Sequence, residues 1–140
     1  QESVVHKLNF QRLNSSINDA KTDFDWLSTV KVEVDKYIKD PNCGFNCSNS
    51  LWQDFNSGGE MLLEEDIFLG VNSNIKIFLA AGEADPCIKN GKGINGLQIF
   101  LKNVFKNIII TKYPKIRHEI QNEPCWNNFL DDSIKFFDND

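Results

Sequence analysis

Ile94-Asn95-Gly96-Leu97-Gln98-Ile99-Phe100-Leu101-Lys102-Asn103-Val104-Phe105-Lys106-Asn107-Ile108-Ile109-Ile110-Thr111-Lys112-Tyr113 is the stretch on which the fold class turns. Leu97, Phe100, Leu101, Val104, Phe105 and Ile108 recur at i, i+3, i+4 and i+7, the spacing of one face of an α-helix. The pattern predicts a helix over residues 94–113. Pro114 interrupts it, and Ile116 and Ile120 continue a helix at a new angle.

The same period extends upstream. Leu63, Ile67, Val71, Ile75 and Phe78 predict helix across 60–80, split near Gly70 and Asn72-Ser73-Asn74. Leu51, Trp52 and Phe55 predict a short helix that Gly58-Gly59 ends. Phe24 to Ile38 forms another, stopped at Asp40-Pro41 because proline disfavours a helical residue before it. Residues 3–20 and 125–138 are also amphipathic at helical spacing. Few segments alternate with period two. The expected fold is therefore all-α: one domain over 1–140, a bundle of five or six helices.

The chain has 140 residues, of which 41% are hydrophobic, so a single core can be buried and disorder is excluded. A net charge of −5 argues against nucleic acid as a partner. No apolar run approaches the roughly 18 residues that span a bilayer, so no membrane insertion is expected.

Four cysteines, Cys43, Cys47, Cys87 and Cys125, are an even number. Three of them closely follow Pro41, Pro86 and Pro124, which places their sulfurs near helix ends. Two disulfides are expected, with Cys43 and Cys47 each reaching one of Cys87 or Cys125, because long loops gain about 3–4 kcal/mol from closure. The chain opens at Gln1, the pattern of a mature form whose leader has been removed. Asn14-Ser15-Ser16 and Asn46-Cys47-Ser48 are glycosylation sequons, at Asn14 and Asn46. Together these predict a secreted, extracellular protein. The Cys43-x3-Cys47…Cys87 spacing is similar to the middle of the insect odorant-binding pattern, but no cysteine precedes Cys43 or closely follows Cys87. Length, cysteine number and helical pattern also resemble short-chain helical cytokines. Neither resemblance covers a specific motif, and no family is assigned from them.

Candidate chemistry is sparse. A zinc site would usually show a close cysteine pair at both ends; the second pair is missing and His6 and His118 stand far apart, so no metal or cofactor is expected. Gly91-Lys92-Gly93-Ile94-Asn95-Gly96 has the spacing of a dinucleotide fingerprint, but residues 84–90 do not read as a strand before it. His6 and His118 have side chains that titrate near neutral pH, yet no Ser or Cys motif stands near either, so both are expected on solvent-facing helix surfaces. Glu64-Glu65-Asp66 and Asp131-Asp132 are expected to be solvated acidic faces.

Two features remain. Residues 86–120 hold seven Lys or Arg and one acid, net +6; the remainder holds eight and nineteen, net −11. Lys102, Lys106, Lys112, Lys115 and Arg117 would form a basic strip able to steer a charged protein partner. Trp26, Trp52, Phe78, Phe100, Phe105, Trp126 and Phe129 would line a cavity between helices. The functional expectation is a secreted, non-enzymatic effector binding an extracellular protein, cytokine-like or an inhibitor or host modulator. The alternative is a carrier of a small hydrophobic ligand.

Overall fold

The computed structural model describes residues 4–62 and 64–138; of the side chains of His6, Asn9, Gln11 and Glu65 nothing is stated, so the reading of His6 lies outside what is described. The helices are α1 (Val4–Gln11), α2 (Lys31–Lys39), α3 (Asn49–Met61), α4 (Gly93–Leu101) and α5 (Trp126–Asp138); the strands are β1 (Lys76–Gly82) and β2 (Asn107–Tyr113). The strands pair in parallel, from Lys76 opposite Asn107 to Gly82 opposite Tyr113. Parallel neighbours need a crossover connection, and α4 supplies it, packing on both strands.

The all-α expectation is thus wrong, and wrong in the stretch that decided it. Only 93–101 is helical; Asn107–Tyr113 is a strand. Ile108-Ile109-Ile110-Thr111 is four β-branched residues in succession, which lose rotamer freedom in a helix and pack well on a pleated sheet. Ile77-Phe78-Leu79-Ala80-Ala81 is the matching continuous apolar run in β1. The two strands start together because Lys106 N–H donates to Ser73 O at 3.0 Å and Asn107 Nδ2 to Asn74 O at 3.2 Å.

Elsewhere local signals hold in part. The helix expected from Phe24 begins only at Lys31, and the one expected over 3–20 covers Val4–Gln11. The stretch expected as helix over 60–80 (with Leu63 outside the described residues) gives the end of α3, a short turn at Glu65–Phe68 and β1. α2 ends at Lys39, before Asp40-Pro41. Ser48 caps α3 by accepting from Leu51 N–H at 3.2 Å. α3 runs through Gly58 and Gly59 to Met61 rather than ending there. α5 covers the expected C-terminal segment and packs on β1.

No disulfide joins Cys43, Cys47, Cys87 or Cys125; they are thiols. Cys43 and Cys47 lie in the loop between α2 and α3. Cys87 is exposed in the turn after β1. Cys125 packs at the edge of the core formed by Tyr113, Ile116 and Ile120, with Ala80 and Phe129. The sulfurs went astray with the helices: a bundle would have gathered those helix ends, whereas the β1–α4–β2 unit sends them to different places. Among the described residues no helix is long and apolar enough to cross a membrane.

Candidate active site

In an open parallel sheet, ligands bind beyond the carboxyl ends of the strands. Two loops leave those ends here. One follows β1 and carries Asp85; the other follows β2 and carries His118. Their backbones are laced together: Glu83 N–H donates to Tyr113 O and Ala84 N–H to Ile116 O, each at 2.9 Å.

Asp85 is almost fully buried, its side chain 7% exposed. One carboxylate oxygen accepts from Cys87 N–H at 2.8 Å, capping the short turn Pro86–Ile88. The other lies 3.0 Å from His118 Nδ1. The carboxylate therefore fixes the imidazole orientation and places a proton on Nδ1, leaving Nε2 to accept or donate one. The His118 side chain is 43% exposed, so an outside group can reach it. The buried Trp26 ring also packs against it, with centroids 5.1 Å apart. The hydrogen bond that Asp85 accepts from the ring, and then the one with Cys87, pushes the His118 pKa from 6.5 up to about 10 against an opposing effect of burial.

Cys87 Sγ, a carboxylate oxygen of Asp85 and a ring nitrogen of His118 all lie within 4.8 Å of one another. The sulfur thus stands beside both the acid and the imidazole.

The His118 loop is held by a second layer. Glu123, 1% exposed, accepts from Thr29 N–H at 2.7 Å, from the Thr29 hydroxyl, and from Arg117 N–H at 3.2 Å. Arg117 Nη1 donates to Asp25 O at 2.6 Å and Ser28 O at 3.0 Å, and Glu119 N–H to Leu27 O at 2.8 Å. Residues 25–29 and 117–123 are therefore one unit. Glu123→Ala strands buried donors and is expected to lower stability by about 3–5 kcal/mol in urea denaturation. Glu123→Gln keeps the shape and one acceptor, so a loss of about 1–2 kcal/mol is expected. Equal losses from the two would contradict this role.

The other sequence-derived candidates scatter. Arg117 is committed to backbone carbonyls; Lys102 ends α4, Lys106 sits in the following turn, Lys112 is in β2, and Lys115 precedes Ile116 in the His118 loop. They come from a helix, a strand and loops, not one helical face. The aromatics form separate small clusters: Trp26 and Trp52 each meet Phe10, Phe100 and Phe105 each meet Phe68, Phe78 meets Phe136, and Phe129 meets Tyr113. Trp126 is half exposed. Asn14 uses its amide locally, donating to Thr22 O and accepting from Trp26 N–H, whereas Asn46 is exposed in its loop. Gly91–Gly96 does open α4, but residues 83–90 separate it from β1, so its first glycine is not in a strand-to-helix turn.

His118 is not on a helix, and it does have a partner. Asp85 was missed. The available signal was an apolar run ending in Gly82, then Asp85-Pro86, with a second β-branched run and a histidine shortly beyond it.

Comparison with solved structures gives the same architecture. A highly thermostable carboxyl esterase from Bacillus coagulans, in complex with glycerol, superposes with a TM-score of 0.81 at 24% identity, over 99% of this chain and 46% of the esterase. A lipase in its open form gives 0.79 at 24% identity, over 94% and 43%. The fold is α/β-hydrolase-like, and the chain spans less than half the length of either structure. No curated protein sequence matches. The family model for serine aminopeptidase S33 matches residues 2–125. That match overturns the expectation of a non-enzymatic effector or ligand carrier and points to an enzyme. The chain belongs to the serine aminopeptidase S33 family of hydrolases.

Proposed function

We propose that these residues supply the acid–histidine half of a serine-hydrolase centre, with His118 as general base and acid and Asp85 as its orienting carboxylate. The observation that carries the reading is the 3.0 Å Asp85–His118 contact at the carboxyl ends of two parallel strands. The chain order supports it. In α/β-hydrolases the acid precedes the histidine and the nucleophile precedes both.

The 140 residues hold no Gly-x-Ser-x-Gly elbow. The nucleophile in this proposal comes from outside them, from the part of the fold that a match to 46% of the esterase leaves unrepresented. His118 acts as base only in its neutral form, so with its pKa at about 10 turnover should rise as pH climbs toward that value. The neutral ring takes the serine proton as the hydroxyl attacks an acyl carbon and returns it to the leaving group, and a water then repeats the cycle on the acyl-enzyme. The substrate class is a carboxylic ester, favoured by the two ester-hydrolysing neighbours.

The test uses the protein that carries these residues. It should turn over p-nitrophenyl butyrate, and a fluorophosphonate should stop turnover by labelling one serine, located by peptide mass spectrometry outside the 140 residues. Turnover of aminoacyl p-nitroanilides in place of esters would overturn the substrate class. A blocking label on a serine within these residues, or no turnover of either substrate, would overturn the assignment.

A further inference from the structure

We propose that Asp85, Cys87 and His118 form a zinc site whose occupancy silences the acid–histidine pair. The pair itself belongs to the function proposed above; the cysteine does not. A serine hydrolase needs a carboxylate and an imidazole, and nothing in that chemistry calls for a thiol two residues after the acid. Yet the three donor atoms, one oxygen, one sulfur and one nitrogen, lie within 4.8 Å of one another. Zinc takes this mixed donor set, with bonds of about 2.0–2.3 Å, so ligand atoms around it stand roughly 3.4–3.7 Å apart. Closing the cluster onto an ion needs shifts of about 1 Å or less.

The local structure suits such a closure. The turn Pro86–Ile88 is fixed by Asp85 accepting from Cys87 N–H, which holds both side chains toward the same loop. Cys87 and His118 are exposed, so an ion can enter without opening the core, while buried Asp85 anchors it from below. Three protein ligands leave a fourth position for water. On binding, Sγ gives up its proton to buffer for a Zn–S bond, and the coordinating ring nitrogen likewise releases the proton it carries to buffer, which frees its lone pair for zinc. An imidazole so engaged no longer serves as the base that Asp85 orients. The inhibitory consequence rests on the hydrolase reading; the binding does not.

The experiment titrates metal-free protein with zinc chloride by calorimetry and, in parallel, with cobalt(II), whose thiolate bond gives a near-ultraviolet charge-transfer band. One equivalent is expected to bind, to give the band, to shield Cys87 from iodoacetamide while Cys43 still reacts, and to abolish ester turnover reversibly on chelation. Loss of second-layer partners alone typically weakens metal sites about 10–100-fold, so Cys87→Ala, Cys87→Ser and Asp85→Asn should each weaken binding by at least about 100-fold. Alkylation of the unaltered protein reads the same site without any substitution. Zinc binding unchanged in Cys87→Ala, or a band that leaves Cys87 reactive, would overturn the site. Full occupancy with undiminished turnover would overturn its silencing role. If the metal-free protein turns over no ester, the hydrolase reading fails, and the band and alkylation still decide the metal site.

Discussion

His118→Ala is expected to reduce ester turnover by about 10⁵–10⁶-fold, and Asp85→Asn by about 10⁴-fold, with both proteins folded. The two numbers differ for a physical reason. Without the imidazole nothing takes the serine proton. Without the carboxylate the ring is still present, but Nδ1 faces an amide that can donate to it and so favours the wrong tautomer. The double variant should be scarcely worse than His118→Ala alone, because the acid acts only through the ring. Steady-state kinetics on a p-nitrophenyl ester, with circular dichroism as the folding control, checks all three. Independent, multiplying losses would show that Asp85 and His118 do not act as one unit.

The same pair sets a pH dependence of stability. The His118 pKa lies at about 10 in the folded state, above its ordinary 6.5. A raised folded pKa means that the folded protein holds the proton more tightly. The stabilisation is therefore full below about pH 6.5 and is lost as pH climbs toward about 10. The midpoint of thermal unfolding should fall across that window, and Asp85→Asn should flatten the fall. A wild-type midpoint that rises over the same range would contradict the pairing.

What the sequence made legible was local, and what it hid was long-range. Asp40-Pro41 does end a helix, and 126–138 is one. The failure came where two periods fit the same residues. Ile108 completes a helical stripe with Leu101 and Val104, and it also begins a β-branched run. A short apolar run cannot be told from a helix segment by periodicity; its composition and the turns around it decide. Ile77–Ala81, closed by Gly82, is the same case. With both runs taken as helix, nothing in the pattern brings the residues beyond them to a common edge. His118 became a surface residue without a partner, since only parallel strands bring Asp85 and His118, 33 positions apart, to one edge. For the cysteines the helix ends are real at Cys43, Cys47 and Cys125, but Cys87 follows a strand, and no disulfide joins any of the four.

Gly82→Ala is expected to be the most damaging single-methyl change in this part of the molecule. A Cβ at Gly82 would lie 2.2 Å from Ile116 O, 2.3 Å from Arg117 O and 2.7 Å from the Ile116 carbonyl carbon. These are backbone atoms, with no flexible side chain to swing aside. Relief requires the 116–117 segment to move away, which breaks the Ala84 N–H to Ile116 O bond and drags His118 with it. Glu123 and Arg117 hold that segment from the other side, so the strain cannot be shed cheaply. Overpacking of this kind costs about 1–3 kcal/mol, and the broken hydrogen bond adds about 1 kcal/mol. A displacement of about 1 Å at His118 would by itself cost roughly 10²-fold in turnover. Gly58→Ala in α3 provides the contrast: its Cβ meets nothing within 4 Å, and alanine in a helix interior should stabilise by about 1 kcal/mol. Urea denaturation and ester turnover on the two variants separate the effects. A Gly82→Ala protein with unchanged stability and turnover would show that the loops beyond β1 and β2 are not packed as tightly as this geometry requires.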